Sequence, residues 1–383
     1  MSMNDLVDTI PQNKQSDRMA LLYKGNEKNL VAINTAVGQT VRVDIPRIVM
    51  QGGTWGSLMC SNSIDKIGKK CHETGEHLYT YKNRVKILPF GMVDDLLAVS
   101  ECGQKAVAMN TFLTAQGELK KLKFHIPDKI TKKSKCHKLH IGQKNFTCPE
   151  LKVHGHVMET VSTEKYLGDI LSSNGTNDAT LQDRKGKAIG CMNNIISILD
   201  TISFGHHYFN ILILLRESMF INCILTNSEV WYGLKENDLK ELEKIDRMLL
   251  RKALRCPIST PKEAYYLELG ILNINCIVKQ RRINYLHYLL KTDKRSMLYK
   301  FFEAMYEKPT KDDWIELVTK DLTDFGIKDD FKAIESKSKS SFKNVVKIKA
   351  KEFALEQLNM MKFKHTKLDN LVHTELCTQD YHL

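Results

Sequence analysis

Apolar and polar residues are patterned in two ways along the chain, and the change falls near residue 176. Before it the apolar runs are short and rich in Val and Ile: Leu30 to Val37 and Val41 to Val49 read as a β-hairpin turning at Gly38. Leu78 to Val99 reads as further strands, ending in Phe90 to Val93 and Leu96 to Val99 on either side of Asp94 and Asp95. Helical spacing interrupts them at residues 3–23, a broken pair around Pro11, at Leu58 to Lys70, with Leu58, Ile64 and Ile67 inward, and at Gln104 to Leu119. A short strand at Leu139 to Ile141 and a glycine-ended segment, Lys165 to Gly168 leading into Ile170 and Leu171, complete this half. The pattern predicts an α+β fold, an antiparallel sheet with helices on one face.

After residue 176 the spacing is helical throughout. Ala188, Met192, Ile195, Ile196 and Leu199 share one stripe, Tyr208 to Trp231 reads as a largely buried helix, and Leu239, Leu242, Ile245, Leu249 and Ala253 face one way on a charged helix. Thr260-Pro261-Lys262-Glu263 is a capping-box pattern with Gly270 placed to end its helix. Gln280 to Leu290 carries Arg281 and Arg282 beside Tyr285 and Tyr288, a face suited to a nucleic-acid backbone or to packing of the tyrosines. Phe342, Val346, Ala350, Phe353, Ala354, Leu358 and Met361 mark a last helix with Lys343, Lys347 and Lys351 opposite, and the Ser/Lys run from Ser336 to Ser341 reads as a flexible linker.

Charge sharpens the picture. Lys and Arg number 57 against 45 acids, a net +12, which suits a polyanion or an acidic membrane surface as partner. Lys120, Lys121, Lys123, Lys129, Lys132, Lys133, Lys135 and Lys138 crowd one segment, either as a solvated face or as phosphate contacts. The ten cysteines are scattered with no Cys-x-x-Cys, which favours a reducing compartment over a disulfide scaffold. Met1 to Gln15 is polar and no apolar run spans a bilayer, so the expectation is a soluble protein of cytoplasm or nucleus, not secreted.

Adjacent acids are an uncommon choice for a hairpin turn, which prefers Asn-Gly or Asp-Gly. Asp94 and Asp95 are either ordinary turn acids or paired hard-oxygen ligands for a divalent metal open to substrate phosphates. Met50-Gln51-Gly52-Gly53-Thr54-Trp55-Gly56-Ser57 is either a plain strand-to-helix loop or a backbone made for close approach to a ligand. Cys136, His140, Cys148, His154 and His156 match no compact zinc signature, and no P-loop, dinucleotide or Gly-x-Ser-x-Gly motif is present.

Taken in order, these segments resemble the reverse transcriptases of non-LTR, LINE-like or jockey-type retrotransposons over about residues 3–290. The resemblance implies a polymerase right hand, with RNA template, DNA primer and deoxynucleotide triphosphates as partners and Mg or Mn as cofactor. Phe90 to Val99 is similar to the palm hairpin, motif C, with Asp94 and Asp95 as catalytic metal ligands. Gln51, Gly52, Gly53 and Ser57 resemble motif B, which positions template and nucleotide, although Leu58 replaces the usual proline. Lys133 and Lys135 fall where motif D lysines are expected, and Tyr166, Leu167 and Gly168 resemble the primer grip.

One element of that family is missing from the 383 residues: an Ala-Phe-Asp-like strand supplying the motif A aspartate. Asp5 and Asp8 lie in a polar, helical context and do not replace it. Two-metal nucleotidyl transfer needs carboxylates bridging both ions. The expectation is therefore a carboxyl-terminal fragment, from a truncated copy or a reading frame opened at an internal methionine, inactive as a polymerase. Its parts would be a partial palm at 1–175, a helical thumb at 176–290 and a basic helical extension at 291–383. The alternative is a non-catalytic, basic nucleic-acid-binding module.

Overall fold

A computed structural model describes residues 30–31, 34–35, 38–39, 43–44, 54–75, 78–92, 95–119, 124, 134–142, 147–231, 236–310 and 313–362. The expected helix pair at 3–23 lies outside them. The chain is α+β and divides after Val161 into two compact units, Met1–Val161 and Ser162–Leu383.

In the first unit, β1 (Leu30–Val31) pairs antiparallel with β4 (Val43–Asp44), and β2 (Asn34–Thr35) with β3 (Gly38–Gln39). The hairpin predicted there exists, but its innermost pair is Thr35 with Gly38, so Gly38 begins the return strand. Helix α1 (Thr54–Thr74) buries Ile67 and Cys71 against α2 (Gly103–Leu119), whose Met109 and Leu113 face the same small core with Leu78. Between them β5 (Tyr79–Tyr81) and β6 (Val85–Ile87) form one hairpin, turned by Lys82 and Asn83 at positive φ, and β7 (Phe90–Met92) and β8 (Asp95–Leu97) form another. β9 (His137–Leu139) begins two residues before the predicted strand and pairs in parallel with β12 (Glu159–Val161). β10 (Lys152–Val153) and β11 (His156–Val157) make a small hairpin.

The single antiparallel sheet expected from the sequence is not what the described strands build. They form seven two-stranded ladders, one of them parallel. Ladders of two to four residues leave most strand backbone without a second neighbour, and in the first unit β7 packs on α1 and β10 on α2.

The second unit starts with β13 (Thr163–Tyr166) and β14 (Asp169–Ser172) and is helical from Asp178 on, as the apolar spacing predicted. Helix α3 (Asp178–Leu199), α4 (His206–Leu215) with its π-helical continuation Arg216–Ile221 and last turn Asn222–Ile224, α5 (Glu236–Ala253) and α6 (Lys262–Leu269) share one core. Pro261, expected as the first helical residue, is the N-cap of α6, and Gly270 ends the helix at φ 61° as expected.

A second core joins α7 (Ile274–Lys291) to α8 (Met297–Glu307), α9 (Trp314–Asp324), α10 (Phe331–Ser336) and α11 (Lys339–Lys362). Residues 291–362 are thus packed rather than appended: Ile283, Leu286 and Leu289 of α7 bury against Phe302, Val318, Ile334 and Phe342. The Ser/Lys run read as a linker is instead mostly helical: Ser336 ends α10, Lys339 to Ser341 begin α11, and only Lys337-Ser338 join them. Burial of this amphipathic face, not helix propensity, stabilises such segments.

Candidate functional site

Val93 and Asp94 lie outside the described residues. On either side of them Phe90 pairs with Leu97, Gly91 with Leu96 and Met92 with Asp95. Asp95 is the first residue of β8, exposed, opposite Met92. The hairpin rests on α1 at Gly91, where an added Cβ would run into Cγ2 of Ile64. Glycine is favoured there because the Ile64 side chain packs directly on the strand backbone. Phe90 and Met92 remain 37% and 55% exposed, so the β7 face away from α1 carries solvent-facing apolar surface.

Of the motif B segment, Gln51, Gly52 and Gly53 lie outside the described residues, and Ser57 falls within the first turns of α1. Helix α1 starts at Thr54, four residues before the expected start at Leu58. Lys133 lies outside the described residues, and Lys135 is exposed two residues before β9. Neighbouring Lys138 is structural, its Nζ donating to the Pro149 carbonyl at 2.6 Å. A hollow of about 390 Å³ opens beside the start of α2, lined by Cys102, Gly103, Gln104, Val107, Thr147 and Pro149, and none of the candidate residues line it.

The Tyr166-Leu167-Gly168 segment is the tip of the β13–β14 hairpin in the second unit. Tyr166 pairs with Asp169, leaving Leu167 at φ 47° and Gly168 at φ 93°, the positive-φ pair of a tight hairpin turn. The turn is gripped from below. Nη2 of buried Arg184 donates to the Gly168 carbonyl at 2.8 Å and to Asp169 at 3.0 Å. Nδ2 of Asn227 donates to Asp169 at 2.7 Å and to the Leu167 carbonyl at 3.3 Å. Thr180 Oγ1 closes the base, receiving the Ile170 N–H at 2.8 Å. Leu167, 51% exposed, is presented outward by a fixed backbone.

Sequence reasoning missed the charged groups inside the second unit. Nε and Nη2 of Arg216 donate to the two oxygens of Asp246 at 2.8 and 2.7 Å, Nη2 also reaches the Leu272 carbonyl, and Tyr266 donates to Asp246 at 3.1 Å. Burial with Asp246 beside it pushes the Tyr266 hydroxyl well above its usual range, so it stays a donor. Arg282 pairs with buried Asp321, and Lys279 with Asp324. Arg281 bonds the Leu225 carbonyl and Asn222, and Tyr285 packs edge-on against Trp314. The Arg281 to Tyr288 face is therefore mostly packing, with Tyr288 alone of its tyrosines largely exposed. The signal for these charges was their register: Arg184, Arg216, Asp246 and Arg282 each fall four residues from buried positions of an apolar stripe, at Ala188, Leu212, Leu242 and Leu286.

Among the described residues no three His, Cys, Asp or Glu side chains converge as a metal site, and the Cys136, His140, Cys148, His154, His156 set is not assembled into one. No described helix is long and apolar enough to cross a membrane. No protein-family model matches the chain, and no curated protein matches it.

Proposed function

We propose that the chain is kin to the reverse transcriptases of non-LTR retrotransposons and that its own residues serve primer–template binding rather than nucleotidyl transfer. The observation that carries this reading is the order, in one chain, of Gln51-Gly52, Asp94-Asp95, the Lys133 and Lys135 segment and Tyr166-Leu167-Gly168. Two features support it. Asp95 stands exposed at the mouth of a tight hairpin, where a carboxylate is free to meet a ligand. Tyr166 to Gly168 cap a hairpin whose backbone is held by buried Arg184, a rigid edge of the kind that positions a strand of nucleic acid.

Asp94 and Asp95 offer two carboxylates as hard oxygen ligands, one fewer than the set that the resemblance implies for a two-ion centre. Among the described residues no three metal-ligating side chains converge, and the 383 residues contain no Ala-Phe-Asp-like sequence of motif A. The donor set thus falls short of a two-ion centre. The net charge of +12 supports binding to the phosphate backbone, a sequence-independent attraction that weakens with salt.

Primer extension on an RNA template with Mg or Mn tests the catalytic half of this reading. The 383-residue chain is expected to add no nucleotide, and to bind the same duplex equally well with Asp94→Ala. Clear incorporation abolished by Asp94→Ala would show a complete catalytic centre and overturn it.

A further inference from the structure

Three helices of the second unit end in the same hydrogen-bonded cap, and one of them breaks its usual residue rule. After α6 the N–H of Gly270 bonds the Leu267 carbonyl and that of Ile271 bonds Tyr266; after α9 the N–H of Gly326 bonds Thr323 and that of Ile327 bonds Leu322. Gly270 and Gly326 take φ of 61° and 62°, the left-handed conformation that favours glycine. After α5 the bonds are the same, Arg255 to Lys252 and Cys256 to Arg251, but the left-handed residue is Arg255 at φ 55°. An L side chain there is strained, and such strain collects where a side chain is needed for something else.

What Arg255 does is stack. Its guanidinium carbon lies 5.7 Å over the ring of Phe204, which is 52% exposed. Phe204 is itself braced by Tyr208 and Phe209, with ring centroids at 4.9 and 5.1 Å. Tyr208 ties this corner to the end of α5, its hydroxyl donating to the Ala253 carbonyl at 2.7 Å. Arg251, Lys252 and Arg255 form no ion pair among the described residues, and Asp200 and Arg255 both lie close enough to Tyr208 to act on its hydroxyl. The corner therefore offers an exposed aromatic face and a planar cation, with Arg251 and Lys252 in the last turn of α5.

We propose that Phe204 and Arg255 form a stacking platform for single-stranded nucleic acid, with Arg251 and Lys252 taking the phosphates. This rests on the nucleic-acid reading above and adds a site to it. Bases stack on aromatic rings and guanidinium planes whatever their sequence, and the cation excess selects a polyanionic strand over an apolar peptide.

The test is fluorescence anisotropy of a labelled oligothymidylate and a labelled duplex with the full chain. Phe204→Ala is expected to weaken oligothymidylate binding about tenfold or more, with Phe204→Trp restoring it. Arg255→Gly is expected to weaken it too while the melting temperature holds or rises, because glycine relieves the left-handed strain. Loss of affinity without loss of stability separates a binding role from a structural one. If the wild type binds both probes and these variants bind as well as it does, the platform is refuted while the nucleic-acid reading stands. If the wild type binds neither probe at low salt, both fail. Intact binding with altered self-association in Phe204→Ala would make the corner a protein interface and overturn the proposal.

Discussion

Two hairpins, β7–β8 and β13–β14, differ in what the described residues show holding them. The first meets its helix at Gly91 and exposes Phe90, Met92 and Asp95. The second has the carbonyls of both its turn residues and the adjoining Asp169 bonded by Arg184 and Asn227. Hairpins alone are marginal in water, so the side chains gripping each turn, not the ladders, set how firmly its tip is held. Asp95 is thus displayed on a hairpin that rests on α1 at Gly91, and the exposed Leu167 on a turn held by Arg184 and Asn227. Native-state hydrogen exchange should find the β13–β14 amides better protected than those of β7–β8.

The largest effect that sharpens this contrast comes from the frame below the second hairpin. Asp246→Ala strands a buried guanidinium, costs about 3–5 kcal/mol in a denaturant melt, and should speed exchange in β13–β14 while leaving β7–β8 unchanged. Next is Gly91→Ala, which drives a methyl into Ile64 and costs about 1–3 kcal/mol. Its exchange signature should be confined to β7–β8, and adding Ile64→Ala should recover part of the loss. Arg184→Met leaves the Gly168 carbonyl without its donor, for about 1–2 kcal/mol, and should bring β13–β14 protection down toward that of β7–β8.

The smallest effect is at Asp183. The hydrogen bond from Lys187 holds its carboxyl below the usual range. A depressed pKa stabilises the fold above the unfolded value, and that stability is lost as pH falls through the folded one. Asp183→Asn should therefore cost about 0.3–0.5 kcal/mol at neutral pH and nothing in acid, measured by paired melts.

The helices were legible in the sequence because burial leaves a periodic trace: Ala188, Met192, Ile195 and Leu199 are all buried as their spacing required. The packing of residues 291–362 was not, because Ser and Lys around 336–341 read alike in a linker and in a polar helix junction. Strand register was illegible at Asp94-Asp95 because no Asn-Gly or Asp-Gly marks a turn, and Asp95 pairs with Met92 as the first residue of β8. Arg184 and Arg216 escaped notice because a charge inside an apolar stripe reads as a break in it until its partner is seen. The sequence did place Tyr166 to Gly168 at a glycine-ended segment, but nothing in it pointed to the side chains that hold the turn.

The central claim is that this chain binds nucleic acid through its basic surface without needing the aspartate pair. A salt titration of RNA–DNA primer–template binding, comparing the wild type with an Asp94→Ala, Asp95→Ala double variant, tests it most directly. The account predicts affinity that falls linearly in log–log form with salt and is the same for both proteins. Absence of binding at low salt, or binding lost with the two carboxylates, would contradict it.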